Sequence, residues 1–179
     1  YDKDIELAIL THPHIDHLNG FMAVFENYNV KNFILSGANY ESRAYADFIN
    51  ALKEEGSNVY LARTDDVVSY NNQPILRIIS PAQILLGQGL KNIHDSVIVS
   101  ELELGHKKFL LTGDMEEFLE QKLIGSNMIQ DINVLKVGHH GSKTSTSEEF
   151  LSAVSPEVAV IQVGAKNRYG HPSPEILNR

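Results

Sequence analysis

A mixed α/β sandwich is the fold class this chain predicts, on three observations. Short β-branched runs alternate with amphipathic stretches of about ten to fifteen residues, the pattern of strands and helices packed in layers. At 179 residues with 42% hydrophobic and 21% charged side chains, the composition is that of one globular domain. No apolar stretch approaches the roughly 18 residues needed to cross a bilayer.

The elements follow in order. Strands are expected at 6–10, 32–35, 59–61, 67–70, 75–80, 96–104, 107–112, 132–137 and 158–163. Helices are expected at 18–28, at 40–55 closed by Gly56, at 115–124 closed by Gly125, and at 147–154 behind a capping box at Thr146-Ser147-Glu148-Glu149. Ser173-Pro174 opens a last helix. Asn71-Asn72-Gln73-Pro74 and Gly105-His106-Lys107 read as hairpin turns. The chain starts at Tyr1 and stops inside that last helix, so it reads as a piece of a larger protein forming one domain over 1–179.

Composition excludes several chemistries. With no cysteine there is no disulfide, no zinc finger and no thiolate nucleophile, and any metal site must be built from imidazole and carboxylate. A net charge of -8 argues against holding nucleic acid through a broad basic surface. The charge is uneven: from Lys136 onward basic residues outnumber acidic ones by one, so an anionic ligand meets that third first.

Six of the eight histidines fall into three tight groups, and each group follows an expected strand. The first is Thr11-His12-Pro13-His14-Ile15-Asp16-His17, in which His12 and His14 can grip one metal and Asp16 and His17 a second. Next comes Leu110-Leu111-Thr112-Gly113-Asp114, a buried strand ending in a carboxylate that can bridge two metals, or that simply caps the following helix. The third is Val134-Leu135-Lys136-Val137-Gly138-His139-His140-Gly141-Ser142, and the fourth runs from Gly164 to Pro172 and carries His171. Strand ends in a layered sheet share one edge, so these groups are expected to converge. His94 and His106, each alone, read as surface or turn residues.

In that order, these four motifs resemble the metallo-β-lactamase superfamily, and most of all the hydrolase domain of the ComEC DNA-uptake proteins. The resemblance implies a four-layer αββα sandwich whose strands ahead of the first histidine motif are absent from this chain. It implies two divalent metal ions, zinc or manganese, with His12 and His14 on the first, Asp16 and His17 on the second, Asp114 bridging and His171 completing the second. Where most members carry a third histidine for the first metal, this chain has Asn92 if Ser96 sets the register, as the ComEC-like group also does. Ligand arithmetic then assigns His139 to the gap and leaves His140 to protonate a leaving oxygen, although the two could exchange roles. Asp16 and His140 are the candidate catalytic residues.

Two metals imply hydrolysis, and the surrounding loops indicate the substrate. Ser142, Lys143, Thr144, Ser145, Lys166, Asn167 and Arg168 are phosphate-binding residue types, with Ser142, Lys143, Asn167 and Arg168 the leading substrate contacts and Tyr169 a platform for a base. The reading is a metal-dependent phosphodiesterase or nuclease acting on single-stranded DNA in competence. The alternatives are hydrolysis of a small lactone, β-lactam or phosphorylcholine ester, and a non-catalytic docking module for nucleic acid. If the parent is ComEC-like, its membrane helices lie elsewhere and the domain works outside the membrane or is secreted. Otherwise it is cytoplasmic.

Overall fold

The computed structural model describes residues 2–126, 128–129 and 131–179. In chain order it forms β1 (Asp4–Ile5), β2 (Ala8–Leu10), α1 (Ile15–Asn27), β3 (Asn29–Val30), β4 (Asn32–Leu35), α2 (Arg43–Glu55), β5 (Asn58–Leu61), β6 (Val67–Tyr70) and β7 (Gln73–Ser80). It continues through β8 (Val99–Leu104), β9 (Lys107–Leu111), α3 (Glu117–Ser126), β10 (Val134–Lys136), α4 (Glu148–Val154), β11 (Val158–Val160) and α5 (Pro174–Leu177). Single 3-10 turns lie at Ile93–Ser96 and Gly138–Gly141.

Three apolar seams show how these elements layer. β2, β4 and β5 form a parallel sheet, and the side chains of Leu10, Phe33 and Leu35 on one face pack with Leu18 of α1 and Phe48 and Leu52 of α2. Within that seam Phe33 lies 5.0 Å from Phe21 and 5.7 Å from Phe48 between ring centres, and burying each such ring stabilises the fold by about 2–3 kcal/mol. Ile34 alternates to the other face and packs with Leu76 and Ile78 of the six-stranded sheet β11-β10-β9-β8-β7-β6 and with Ile98 just ahead of β8. The far face of that larger sheet, with Val99, Leu110 and Leu135, is covered by Leu123 of α3 and Phe150 and Val154 of α4. Helices, sheet, sheet, helices: four layers, as the sequence motifs imply. No helix among the described residues is long and apolar enough to cross a membrane.

Most boundaries fall within a few residues of expectation, and the departures have local causes. Gly56 closes α2 in the left-handed conformation at φ 76°, while Gly125 closes nothing, because α3 continues to Ser126. The expected capping box is not one. Ser147 caps α4 by accepting from the Phe150 N–H, and the third helical position is therefore Phe150 rather than a glutamate. Its missing partner comes from α3: the buried Glu120 carboxylate accepts the Thr146 N–H and, at 2.9 Å, the Ser147 N–H. β8 starts at Val99 instead of Ser96, which belongs to a 3-10 turn where its hydroxyl donates to the Ile93 carbonyl at 2.7 Å.

Candidate metal centre

β9, β10 and β11 are mutually parallel, so their C-terminal ends open at one edge of the large sheet. The end of β2 meets that edge, because the Ile98 N–H donates to the Thr11 carbonyl at 2.9 Å. Thr11 to His14 leave β2 there, and α1 starts at Ile15, placing Asp16 and His17 in its first turn, where the helix dipole favours a carboxylate. Gly113 turns the chain after β9 at φ 53°. A side chain there would put its Cβ 2.8 Å from Val97 Cγ1, and this close turn delivers Asp114 into the interior. α3 begins only at Glu117, so Asp114 caps no helix.

After β10 the chain makes a tight turn in which His139 (φ 44°) and His140 (φ 54°) are both left-handed. That conformation costs about 1–2 kcal/mol per non-glycine residue. Hydrogen bonds hold it: His139 N–H to the Gly113 carbonyl at 3.2 Å, Ser142 N–H to the His139 carbonyl at 2.8 Å, and the Ser145 hydroxyl to the Gly138 carbonyl at 2.8 Å. Lys136, buried in an otherwise apolar strand, adds a brace across the two strand ends by donating to the carbonyls of Gly113 at 2.9 Å and Val137 at 3.2 Å.

Asp114 stands in the middle of what converges, 1% exposed. Its Oδ2 lies 3.2 Å from His17 Nε2, 3.7 Å from His12 Nε2 and 3.8 Å from His139 Nε2, and its Oδ1 is 3.5 Å from His140 Nε2. His12 Nε2 and His14 Nδ1 are 3.1 Å apart, and His17 Nε2 and His140 Nε2 are 3.2 Å apart. Two sets have all their ligand atoms within 4.8 Å of one another, His12, His14 and His94 on one side and Asp16, His17, Asp114 and His140 on the other. A third set, His94, Glu116 and His139, adjoins the first.

This donor set fits a pair of divalent cations. Imidazole nitrogens crowded at hydrogen-bond distance need something to point their lone pairs at, and the buried Asp114 Oδ1, His94 Nδ1, His139 Nδ1 and His171 Nδ1 find no hydrogen-bond partner among the described residues. Burial pushes the His12 imidazole down to about 2, reinforced by the neighbouring His17, and burial likewise lowers His14, His94 and His139, so these rings are neutral Lewis bases. Burial would raise the Asp114 carboxyl, but His17, His12 and His140 outweigh it and hold the group well below the usual range. The outer nitrogen of His140 is anchored. His140 Nδ1 donates to the Gln162 carbonyl at 2.8 Å, which fixes the tautomer and leaves the Nε2 lone pair facing Asp114, Asp16 and His17.

The His12 depression carries a sign for stability. A histidine held neutral in the fold adds stability in full above its unfolded value near 6.5 and loses it progressively as pH falls from there toward about 2. Asp114, depressed as a carboxylate, acts in the same direction below pH 4. Metal-free protein is therefore expected to melt at steadily lower temperature as pH is lowered from about 7 to about 4, and a His12→Gln variant should show a shallower decline in the same scans.

Several side chains stand apart from the sequence reading. His94, expected on the surface, has its ring centre 4.7 Å from His14, 5.2 Å from His12 and 4.5 Å from His139. Asn92 does not face the cluster as a ligand: its Oδ1 accepts the His94 N–H at 3.1 Å as the cap of the 3-10 turn, and its Nδ2 donates to Glu116 at 3.0 Å. His171 lies 6.0 Å from His139 between ring centres and lines the same cleft as Asp16, His17 and His140. Ser142 is buried, with its hydroxyl 3.0 Å from that of Thr144. The Asn167 side chain is spent on its own loop, donating to the carbonyls of Gly164 and His171 and accepting the N–H groups of Tyr169 and His171. Lys143 and Arg168 are exposed, Arg168 donating to the Tyr169 hydroxyl at 3.1 Å. Glu116, 3.3 Å from His139 Nδ1, was not among the expected site residues, and only its position two after Asp114 hinted at it.

The Metallo-beta-lactamase superfamily model matches residues 2–165 of the chain. The chain belongs to that superfamily. This metallo-beta-lactamase domain is 31% identical to ComE operon protein 3 of Bacillus subtilis over 98% of its own length and 22% of the relative's, and 34% identical to Recombination protein 2 of Haemophilus influenzae over 98% and 20%. It thus spans about a fifth of each of these proteins. Among solved structures, the diiron β-hydroxylase CmlA from Streptomyces venezuelae superposes with a TM-score of 0.56 at 12% identity, covering 89% of this chain and 35% of that one, which shows the shared fold. By family the domain is a metal-dependent hydrolase, and its centre brings together the His and Asp groups that could hold metal.

Proposed function

We propose that this domain is a two-metal phosphodiesterase that cleaves single-stranded DNA, working in a competence system. The observation that carries the reading is Asp114, a buried carboxylate in the set with Asp16, His17 and His140, which also reaches the neighbouring set through His12 Nε2 at 3.7 Å and keeps one oxygen without a hydrogen bond. His12, His14 and His94 would hold one ion and Asp16, His17 and His140 the other, with His171 at hand for the second. Bound there, the cations supply a water that ionises near neutral pH and positive charge against the phosphate oxygens. The chain's own groups do the rest. Asp16 and the His140 Nε2 atom, 3.4 Å apart, would hold the reacting side of the cleft, and His139, which the Glu116 carboxylate 3.3 Å from its Nδ1 pulls back toward protonation against the effect of burial, is the group we assign to pass a proton to the leaving oxygen. Lys143 and Arg168 are exposed cationic groups on the loops that follow β10 and β11, Arg168 beside the cleft residue Tyr169, and Arg168 can meet phosphate oxygens in pairs. DNA as the substrate is supported by relatives described as competence and recombination proteins.

The test is incubation of zinc- or manganese-loaded protein with end-labelled single-stranded oligonucleotide and with bis-p-nitrophenyl phosphate. Cleavage of both, abolished by EDTA and restored by metal, is expected. Inertness toward both, together with hydrolysis of a lactone or phosphorylcholine ester, would transfer the centre to small-ester chemistry.

A further inference from the structure

Two clefts meet the centre, one on each ligand set. A cleft of about 510 Å³ is walled by His14 and His94 and lined by Tyr40 and Lys91, and another of about 640 Å³ is walled by Asp16, His17 and His140 and lined by Tyr169. Each is of a size that holds a small ligand, and Asp114 touches the second wall through His17 and His140 and reaches toward the first through His12, 3.7 Å away and itself 3.1 Å from His14. Each also presents an aromatic ring beside a histidine of the cluster. Tyr40 sits edge-on to His14 at 5.6 Å, and Tyr169, 68% exposed, stacks at 5.9 Å on His171 with the Arg168 guanidinium 5.2 Å from its ring centre.

Resting on the phosphodiesterase reading, we propose that a single strand crosses the centre from one cleft to the other, stacking a base on Tyr40 on one side of the scissile bond and a base on Tyr169 on the other. The charge balance favours stacking over phosphate capture. A domain of net charge -8, whose first cleft holds Glu41 as well as Lys91, gains little from counterion release, whereas every base has a face to stack. A substrate held on both sides needs no free end, so the cut is internal and a circular single strand is a substrate.

The test uses oligonucleotides carrying one photoreactive 5-iododeoxyuridine at successive positions, irradiated on the metal-loaded protein, with crosslinked residues identified by mass spectrometry. Label on one side of the cut is expected to attach to Tyr40 and label on the other side to Tyr169. Tyr40→Ala and Tyr169→Ala should each lower the ratio of oligonucleotide to bis-p-nitrophenyl phosphate kcat/KM about tenfold, with Tyr→Phe restoring it, because the ring and not the hydroxyl stacks. Crosslinks to both tyrosines from one side only, or ratios unchanged in both alanine variants, would overturn the proposal. Crosslinks to Tyr40 and Tyr169 from different label positions on one strand, without cleavage of any diester, would support the two-sided groove and overturn the phosphodiesterase reading instead.

Discussion

Asp114→Asn should lower hydrolysis of bis-p-nitrophenyl phosphate roughly a thousandfold and reduce bound metal from about two ions per chain to about one. Asparagine keeps the shape and one carbonyl oxygen, so the buried site still packs, but it removes the negative charge that faces His17 and His140 in one set and His12 in the other. Asp114 Oδ2 lies within 3.8 Å of His17, His12 and His139, and Oδ1 faces His140 with no hydrogen bond to replace a cation. Losing that charge would cost several kcal/mol of electrostatic stabilisation of a pair of dications held there by His12, His17 and His140, so the residues present would retain only one. Melting of the metal-free variant checks that the loss is local. A variant that keeps both ions and full turnover would remove Asp114 from the centre.

The second large effect separates two adjacent histidines. His140→Ala should weaken binding of one ion at least about tenfold, since it deletes a ring whose Nδ1–H is fixed on the Gln162 carbonyl and whose Nε2 faces Asp16, His17 and Asp114. His139→Ala should leave two ions bound while slowing turnover roughly a hundredfold, as expected for loss of a proton donor. Metal content by plasma mass spectrometry, read beside kcat for each variant, decides it. The reverse pattern would return His139 to the ligand role that the motif spacing assigns and His140 to the acid.

Strand and helix placement was readable to within a few residues because its causes are local. The alternation of Phe33, Ile34 and Leu35, the Gly56 and Ser173 caps and the Asn71-Asn72 turn each act over a handful of positions. The errors have distant causes. Ser147 reads as the start of a capping box, yet the carboxylate beneath it is Glu120, on another helix. Gly125 reads as a stop, yet nothing in the packing ends α3 there.

In the centre, spacing alone brought His12, His14, Asp16, His17, Asp114, His139, His140 and His171 under suspicion, since each follows a strand whose end is rigid and shared. Residue type and chain distance could not say which lone pairs meet. His94 looks isolated because its partners lie about 80 residues away in the chain, and only the 3-10 turn capped by Asn92 swings it beside His12 and His14. Ser142 and Asn167 have the chemistry to bind phosphate, but their hydrogen bonds are consumed by the loops that carry them, a competition between backbone and ligand that exists only once the chain has folded. Most candidate ligands were therefore legible in local motifs, while which of them come together, His94 and Glu116 included, followed from how two sheets meet at a rim, because that depends on ångström-scale distances that no one-dimensional spacing contains.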